Sequence, residues 1–376
     1  MLPTETEMRQ KRPLFKIRLV MLVASMWASA SVMAQHEHGG SSILLFPHAI
    51  FSSRGGDLQA QTPDRIESSD REAAVSVFIS VDTANFKFLA ETLLSNFEKD
   101  IERFQFGYKF DARNTLWLGR FHNPAGIWNI EHHHGAYLQT SISRPRIVSY
   151  EDGGGGLPIG GGILPMHLTG LLWEASHAVG PGAVNYEIGF ARGPALDAAL
   201  EPYPVFQVEV PGKAAWTARL GFKPDETSGT QAGVFATTAD IPVTSPGGGD
   251  FSQSVFGLFG QWSGESSRVF GEWFDVNNRS SLGGPARSDK LNAWFVQGEY
   301  RIREPLTVFG RVERSRSDPG DPYLALFPNF PKSTDVIGLR WDFMPNNAIT
   351  LEYSASVRRD DTPLNQFLVQ WSTVIK

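Results

Sequence analysis

The end of this chain carries two consecutive runs in which a hydrophobic residue stands at every second position, joined by a minimal turn. From Asp335, the run VIGLRWDF puts Ile337, Leu339, Trp341 and Phe343 on one face of an extended segment and Gly338, Arg340 and Asp342 on the other. After Met344-Pro345-Asn346-Asn347, AITLEYSASV sets Ile349, Leu351, Tyr353, Ala355 and Val357 against Thr350, Glu352, Ser354 and Ser356. Side chains alternate across a strand, so one face is continuously apolar while the other carries full charges. A soluble sheet with such a face needs a second layer to cover it. No helix or second set of strands is evident to supply that layer, and lipid can do so instead. The predicted fold class is therefore all-β, a transmembrane antiparallel β-barrel.

The amino terminus points the same way. Arg9, Lys11, Arg12, Lys16 and Arg18 precede the apolar stretch Leu19 to Ala34, and Val32-Met33-Ala34 before Gln35 has the form of a secretory cleavage site. The expected division is a signal peptide over 1–34 and a barrel over 35–376. The apolar stretch is short of the ~20 residues that a spanning helix needs. A mature chain without such a helix can cross lipid only as a closed barrel, because every backbone polar group must be satisfied internally. Removing the leader's five cations together with Glu5 and Glu7 takes the net charge from -6 to -9. That acidity argues against nucleic acid as a partner. Cysteine is absent, which excludes disulfides, thiolate nucleophiles and cysteine metal sites.

The same unit recurs along the chain. Phe104, Phe106, Tyr108 and Phe110 alternate with Arg103, Gln105, Gly107 and Lys109, and Val184, Tyr186, Ile188 and Phe190 with Asn185, Glu187 and Gly189. Further segments begin at Trp216, Gly233, Val255, Arg268, Trp294 and Leu306. Short connectors such as 179–182 and 303–305 alternate with long ones such as 194–211, 242–250, 279–289 and 318–333, the asymmetry of periplasmic turns and extracellular loops. Stepping back from the last strand puts Pro345, Pro305, Ser266, Asp225, Gly180, Arg113 and Thr83 on the periplasmic side. Sixteen strands result if Ile43 to Phe51 supplies the first. That segment contains Pro47 and alternates poorly, so fourteen or eighteen strands stay open. Sixteen strands leave a water-filled lumen.

The longest connector, about 121–165, mixes Ile127, Trp128, Tyr137 and Leu138 with charges of both signs, unlike an ordinary exposed loop. We expect it to fold into the lumen and narrow it. FHNPAGIWN, HHGAYLQTSISRP and EDGGG within it, with GEYRI and the closing pair of strands, resemble outer-membrane porin-like proteins, distantly similar to the phosphate-selective porin group. The resemblance implies a monomeric or trimeric diffusion channel and names no solute.

Several residues could carry chemistry. Arg144, Arg146, Glu151 and Asp152 are the expected constriction residues setting ion preference. Arg311 with Glu313, Arg340 with Asp342, Glu299 with Arg301, and Glu352 read as lumen-lining groups. In the run Glu131-His132-His133-His134, His132 and His134 would point the same way in extended chain and could share a divalent metal. They could also give a pH dependence between about 5 and 8. His36 and His38 form a second small cluster. The glycine tract 153–162 lacks the Lys-Ser or Lys-Thr of a phosphate loop. Ser176 and His177 are neighbours on opposite strand faces, which denies them a nucleophile-base pairing. No catalytic residue and no cofactor is assigned. The leading expectation is an outer-membrane porin, a passive channel for small hydrophilic solutes or ions, with outer-membrane lipid around it and a homotrimer as one assembly. Its rival is an outer-membrane or secreted divalent-metal-binding protein built on the histidine-rich segments.

Overall fold

Sixteen antiparallel strands close into one barrel, each paired with its neighbours in sequence and the first with the last. They are β1 (Gly40–Gly55), β2 (Ser69–Asp82), β3 (Phe86–Ser95), β4 (Lys99–Asp111), β5 (Asn114–His122), β6 (His167–Val179), β7 (Gly182–Arg192), β8 (Ala214–Lys223), β9 (Gln231–Pro242), β10 (Asp250–Ser263), β11 (Ser267–Ser280), β12 (Arg287–Arg303), β13 (Leu306–Ser317), β14 (Pro331–Met344), β15 (Asn347–Arg358) and β16 (Pro363–Thr373). The computed structural model describes residues 40–55, 69–96, 99–132, 135–149, 163–193, 213–242, 250–280, 286–327 and 330–376. The expected leader, His36, His38, His134, Glu151 and Asp152 lie outside the described residues.

The strand count is the one the connector pattern gave, and each expected turn on the short side joins an even-numbered strand to the next. β1 is the segment that contains Pro47. Its ladder with β16 runs from His48 opposite Ser372 and touches again at Leu45 opposite Ile375, in the same register and with nothing paired at Phe46 and Pro47. Proline has no N–H to donate, and here it falls in a gap at the barrel's own seam. Its other neighbour, β2, pairs continuously through Val75 opposite Pro47.

Alternation along the strands separates two surfaces. Ile337, Trp341, Leu351 and Tyr353 are exposed, whereas Arg340, Glu352 and Ser354 between them are buried. On β12 the outward positions run Ile302, Tyr300, Val296 and Trp294, then change at Asn292 to polar residues through Lys290 and Ser288. β11 changes between Trp273 and Asp275, and β13 between Val312 and Arg314. This boundary, with tryptophans at its edge, fits an apolar outer band about 25 Å tall flanked by aromatic girdles. Among the described residues no helix is long and apolar enough to cross a membrane.

The inner surface is not uniformly polar. Phe235, Phe259, Phe270, Phe274 and Phe295 of the wall form a buried core with Ile127, Trp128, Val148 and Leu164 of the long connector and with Tyr323 and Phe327 of the connector 318–330. Part of the expected water-filled lumen is thus side-chain packed, because apolar residues from two connectors have somewhere apolar to sit.

Candidate functional site

The connector between β5 and β6 leaves the wall at Asn123, whose side-chain oxygen accepts hydrogen bonds from Thr217 (2.7 Å) and Thr237 (3.2 Å) on the inner faces of β8 and β9. Gly126 then takes φ +85° with its Cα against the carboxylate of Glu272, where a Cβ would lie 2.0 Å from Oε2. That approach lets Glu272 Oε1 accept from the backbone N–H groups of both Ile127 (2.8 Å) and Trp128 (2.6 Å). A short helical turn, Trp128–His132, follows.

The chain next crosses to other strands. The backbone at Gly135 packs on Phe46 of β1, and Ile142 clusters with Ile50 of β1 and Leu368 of β16. Arg340 Nη1 donates to the carbonyls of Tyr137 (2.6 Å) and Gln139 (2.5 Å), and its guanidinium also pairs with Asp342 (2.7 Å). Thr140 donates to Glu299 (3.0 Å), which is also held by Arg268. Glu352 accepts from the N–H groups of Ile142 (2.7 Å) and Ser143 (3.2 Å). Arg311, fully buried, reaches Ser143 O (2.9 Å), Ser143 Oγ (2.7 Å), Ser141 Oγ and Glu313 Oε1 (2.7 Å). Glu313 in turn accepts from Arg146 N (2.6 Å). Buried charges of this kind persist only when paired and hydrogen-bonded, and the irregular backbone of the connector supplies the missing donors and acceptors. Return to the wall is fixed at Ile163, whose carbonyl accepts from Gln253 (3.0 Å) and from the Tyr323 hydroxyl (2.7 Å). Burial pushes the Tyr323 phenol up, so it stays a donor throughout the physiological range.

The expected lumen-lining residues Arg311, Glu313, Arg340, Asp342 and Glu352 are thus all on the inner wall, and four of them spend their polar atoms on connector backbone. Arg301, paired in the sequence reading with Glu299, instead belongs to the short-turn end, where it donates to Glu265 O. Arg144 and Arg146 are buried within the same connector. His132 is buried, stacks on Phe270 with ring centroids 4.6 Å apart, and has Nε2 3.3 Å from Gln261 Oε1.

Two arrangements were not read from the sequence. The donor atoms of Glu102, His122 and His167 all lie within 4.8 Å of one another at the top of the β5–β6 pair. These ligand types suit a divalent metal. Arg120 Nη2, however, lies 3.2 Å from His167 Nδ1, and a guanidinium inside the cluster opposes a second cation. The other is a band of charges on the inner face of β3 to β8. Arg103 pairs with Glu91 (2.9 Å) and Arg219 with Glu187 (2.9 Å), and Glu174 accepts from Trp117 Nε1 (2.7 Å) while lying in the field of Lys87, Arg103 and Arg219. The alternation of each strand could have revealed that these residues share a face, but the closure that brings β3 opposite β8 is not local.

No sequence-family model and no curated protein matches this chain. Solved structures do. The outer membrane channel DcaP of Acinetobacter baumannii superposes with a TM-score of 0.58 at 11% identity, covering 91% of this chain and 99% of that one. OmpT, an outer membrane protein of Vibrio cholerae, gives 0.56 at 10% identity over 92% and 100% of the two chains. OprB of Pseudomonas putida gives 0.51 at 9% identity over 89% and 94%. By fold, the chain is a closed sixteen-stranded antiparallel β-barrel similar to those of these outer-membrane proteins.

Proposed function

We propose that the protein is an outer-membrane porin, a passive channel through which small hydrophilic solutes or ions diffuse. The observation that carries this reading is the way residues 123–149 are bonded to the inner wall from β8 round to β1. That arrangement fixes the connector inside the barrel, whose inner faces from β3 to β8 carry a strip of charges. An inward segment held by buried ion pairs is a fixed narrowing and needs no bound partner to keep its shape. Solute then passes between the connector and the β3 to β8 strip, where Lys87, Glu91, Arg103, Glu174, Glu187 and Arg219 present both signs of charge across a low-dielectric gap. The connector's own contribution comes from Arg144 and Arg146, with Glu151 and Asp152.

Reconstitution in planar bilayers tests the reading directly. The purified full-length protein should give discrete conductance steps, and deleting Gly135 to Gly156 should raise the single-channel conductance and weaken ion selectivity. A barrel that migrates in the heat-modifiable way on gels but conducts nothing would remove the channel reading. Unchanged conductance after the deletion would remove the constriction and leave the channel.

A further inference from the structure

The connector from Asn123 to Ser149 is buried along most of its length. Among its described residues only Glu131 and Leu138 are exposed, while Arg144 and Arg146 are buried. Leu138 is 53% exposed, and every other exposed large apolar side chain among the described residues belongs to a strand. It takes no part in the buried clusters that the rest of the connector builds with the wall. Both residues are held near the short-turn end of the barrel. Glu131 Oε1 accepts from Gln231 Nε2 (2.5 Å), and Gln231 is the first residue of β9. Leu138 stands between Tyr137 and Gln139, whose carbonyls Arg340 Nη1 holds, and β14 ends soon after Arg340 at Met344. A solute crossing the barrel passes this end, where the connector offers it one carboxylate and one apolar side chain.

The wall extends both features. Gln231 Oε1 accepts from Arg219 Nη2 (3.3 Å), the Arg219 guanidinium pairs with Glu187 (2.9 Å), and Glu187 stands directly opposite Glu174 on the neighbouring strand. Like charges directly opposite each other weaken a sheet, so this pair is not there to hold the wall together. Arg103 and Lys109 are taken up by Glu91 and Asp82. Lys87 and Arg219 then stand against Glu131, Glu174 and Glu187, which leaves a negative charge in excess. On the other side, the turn Ala136–Leu138 packs on β1 and β16. The adjoining β2 and β3 bear Phe78 and Leu89, both half-buried, on the face of Glu91.

We propose that the channel selects organic cations, protonated amines that carry a short alkyl or aryl body, and that Glu131 and Leu138 are the connector residues that recognise them. The inference rests on the channel reading and adds the solute class to it. The Glu131 carboxylate, exposed at a narrow aqueous path, draws the ammonium group. Leu138 takes the apolar body out of water, a contact that a purely hydrophilic ion of the same charge cannot make.

The test uses planar-bilayer recordings of the full-length protein in potassium chloride, with phenethylammonium, phenylacetate or ethanolammonium added. The first two share a body and differ in charge, whereas ethanolammonium has the charge without the ring. Phenethylammonium should halve the potassium current at a concentration about tenfold lower than phenylacetate and about fivefold lower than ethanolammonium. A reversal potential in a phenethylammonium chloride gradient should show that the bound ion also crosses. Glu131→Gln should remove most of the difference between phenethylammonium and phenylacetate. Leu138→Asn should remove the difference between phenethylammonium and ethanolammonium and keep the preference for positive charge. A wild type that conducts and responds equally to the three ions overturns the solute class, a result that needs no variant to assemble. So does a wild-type order of the three ions in either variant. Absence of conductance steps in the wild type would instead remove the channel reading, and the solute class with it.

Discussion

Single positions decide where lipid ends and the interior begins. Leu351 and Glu352 are adjacent, yet one is exposed on the apolar band and the other accepts two backbone hydrogen bonds from the connector. Charge on the lipid face costs on the order of 2 to 4 kcal/mol near the midplane. Leu351→Arg should therefore block assembly, measured as loss of the heat-modifiable gel form, while Glu352→Gln should leave the barrel intact and loosen only the connector. Gly126 is the second such position. Its left-handed φ and the carboxylate beside it leave no room for a methyl group, so Gly126→Ala should free Ile127 and Trp128 from Glu272 and open this stretch to protease without unfolding the wall. At the short-turn end, hydrogen bonds from the hydroxyl and backbone N–H of Thr227 hold the Asp225 carboxyl below its ordinary value of 3.8. A depressed carboxyl stabilises the fold above its unfolded value and loses that contribution as pH falls through the folded one. Thr227→Val should move the Asp225 titration, followed by NMR, upward toward the ordinary value.

At the level of strands and connectors, the even period of the outer residues was legible because lipid imposes it on every strand. The count of sixteen follows from connector lengths, and the proline of the first strand is accommodated by a gap that only closure of the barrel makes. What could not be read was the bonding of residues 123–149. Glu272, Glu313 and Glu352 look alike in sequence, each a charge alternating with apolar residues, and only the folded barrel shows them meeting connector N–H groups 145, 167 and 210 positions away. The histidine run was legible as a cluster of ligand types, but His132 turns its ring onto Phe270, since a helical turn rather than extended chain carries it. Arg311 is the test of this level. Arg311→Ala strands Glu313 as a buried unpaired charge, a loss of about 3–5 kcal/mol, and the expected result is a barrel that still forms but shows increased channel noise in bilayer recordings.

For the molecule as a whole, the proposed channel assigns its selectivity to the charges on the inner faces of β3 to β8. Neutralising Glu174 and Glu187 together should shift the reversal potential in a salt gradient toward anions, whereas neutralising Asp342, across the barrel beside the connector, should shift it less. The bonding of the connector also sets an order of events in time. Residues 127–146 are synthesised and delivered long before the strands that hold them, and closing contacts over 145 to 210 positions is slow. The wall from β11 to β15 must stand before these N–H groups have an acceptor. During refolding into bilayers, then, cleavage within 127–146 by a brief pulse of protease should persist after the earlier hairpins are protected, and the interior should be the last part of the molecule to set.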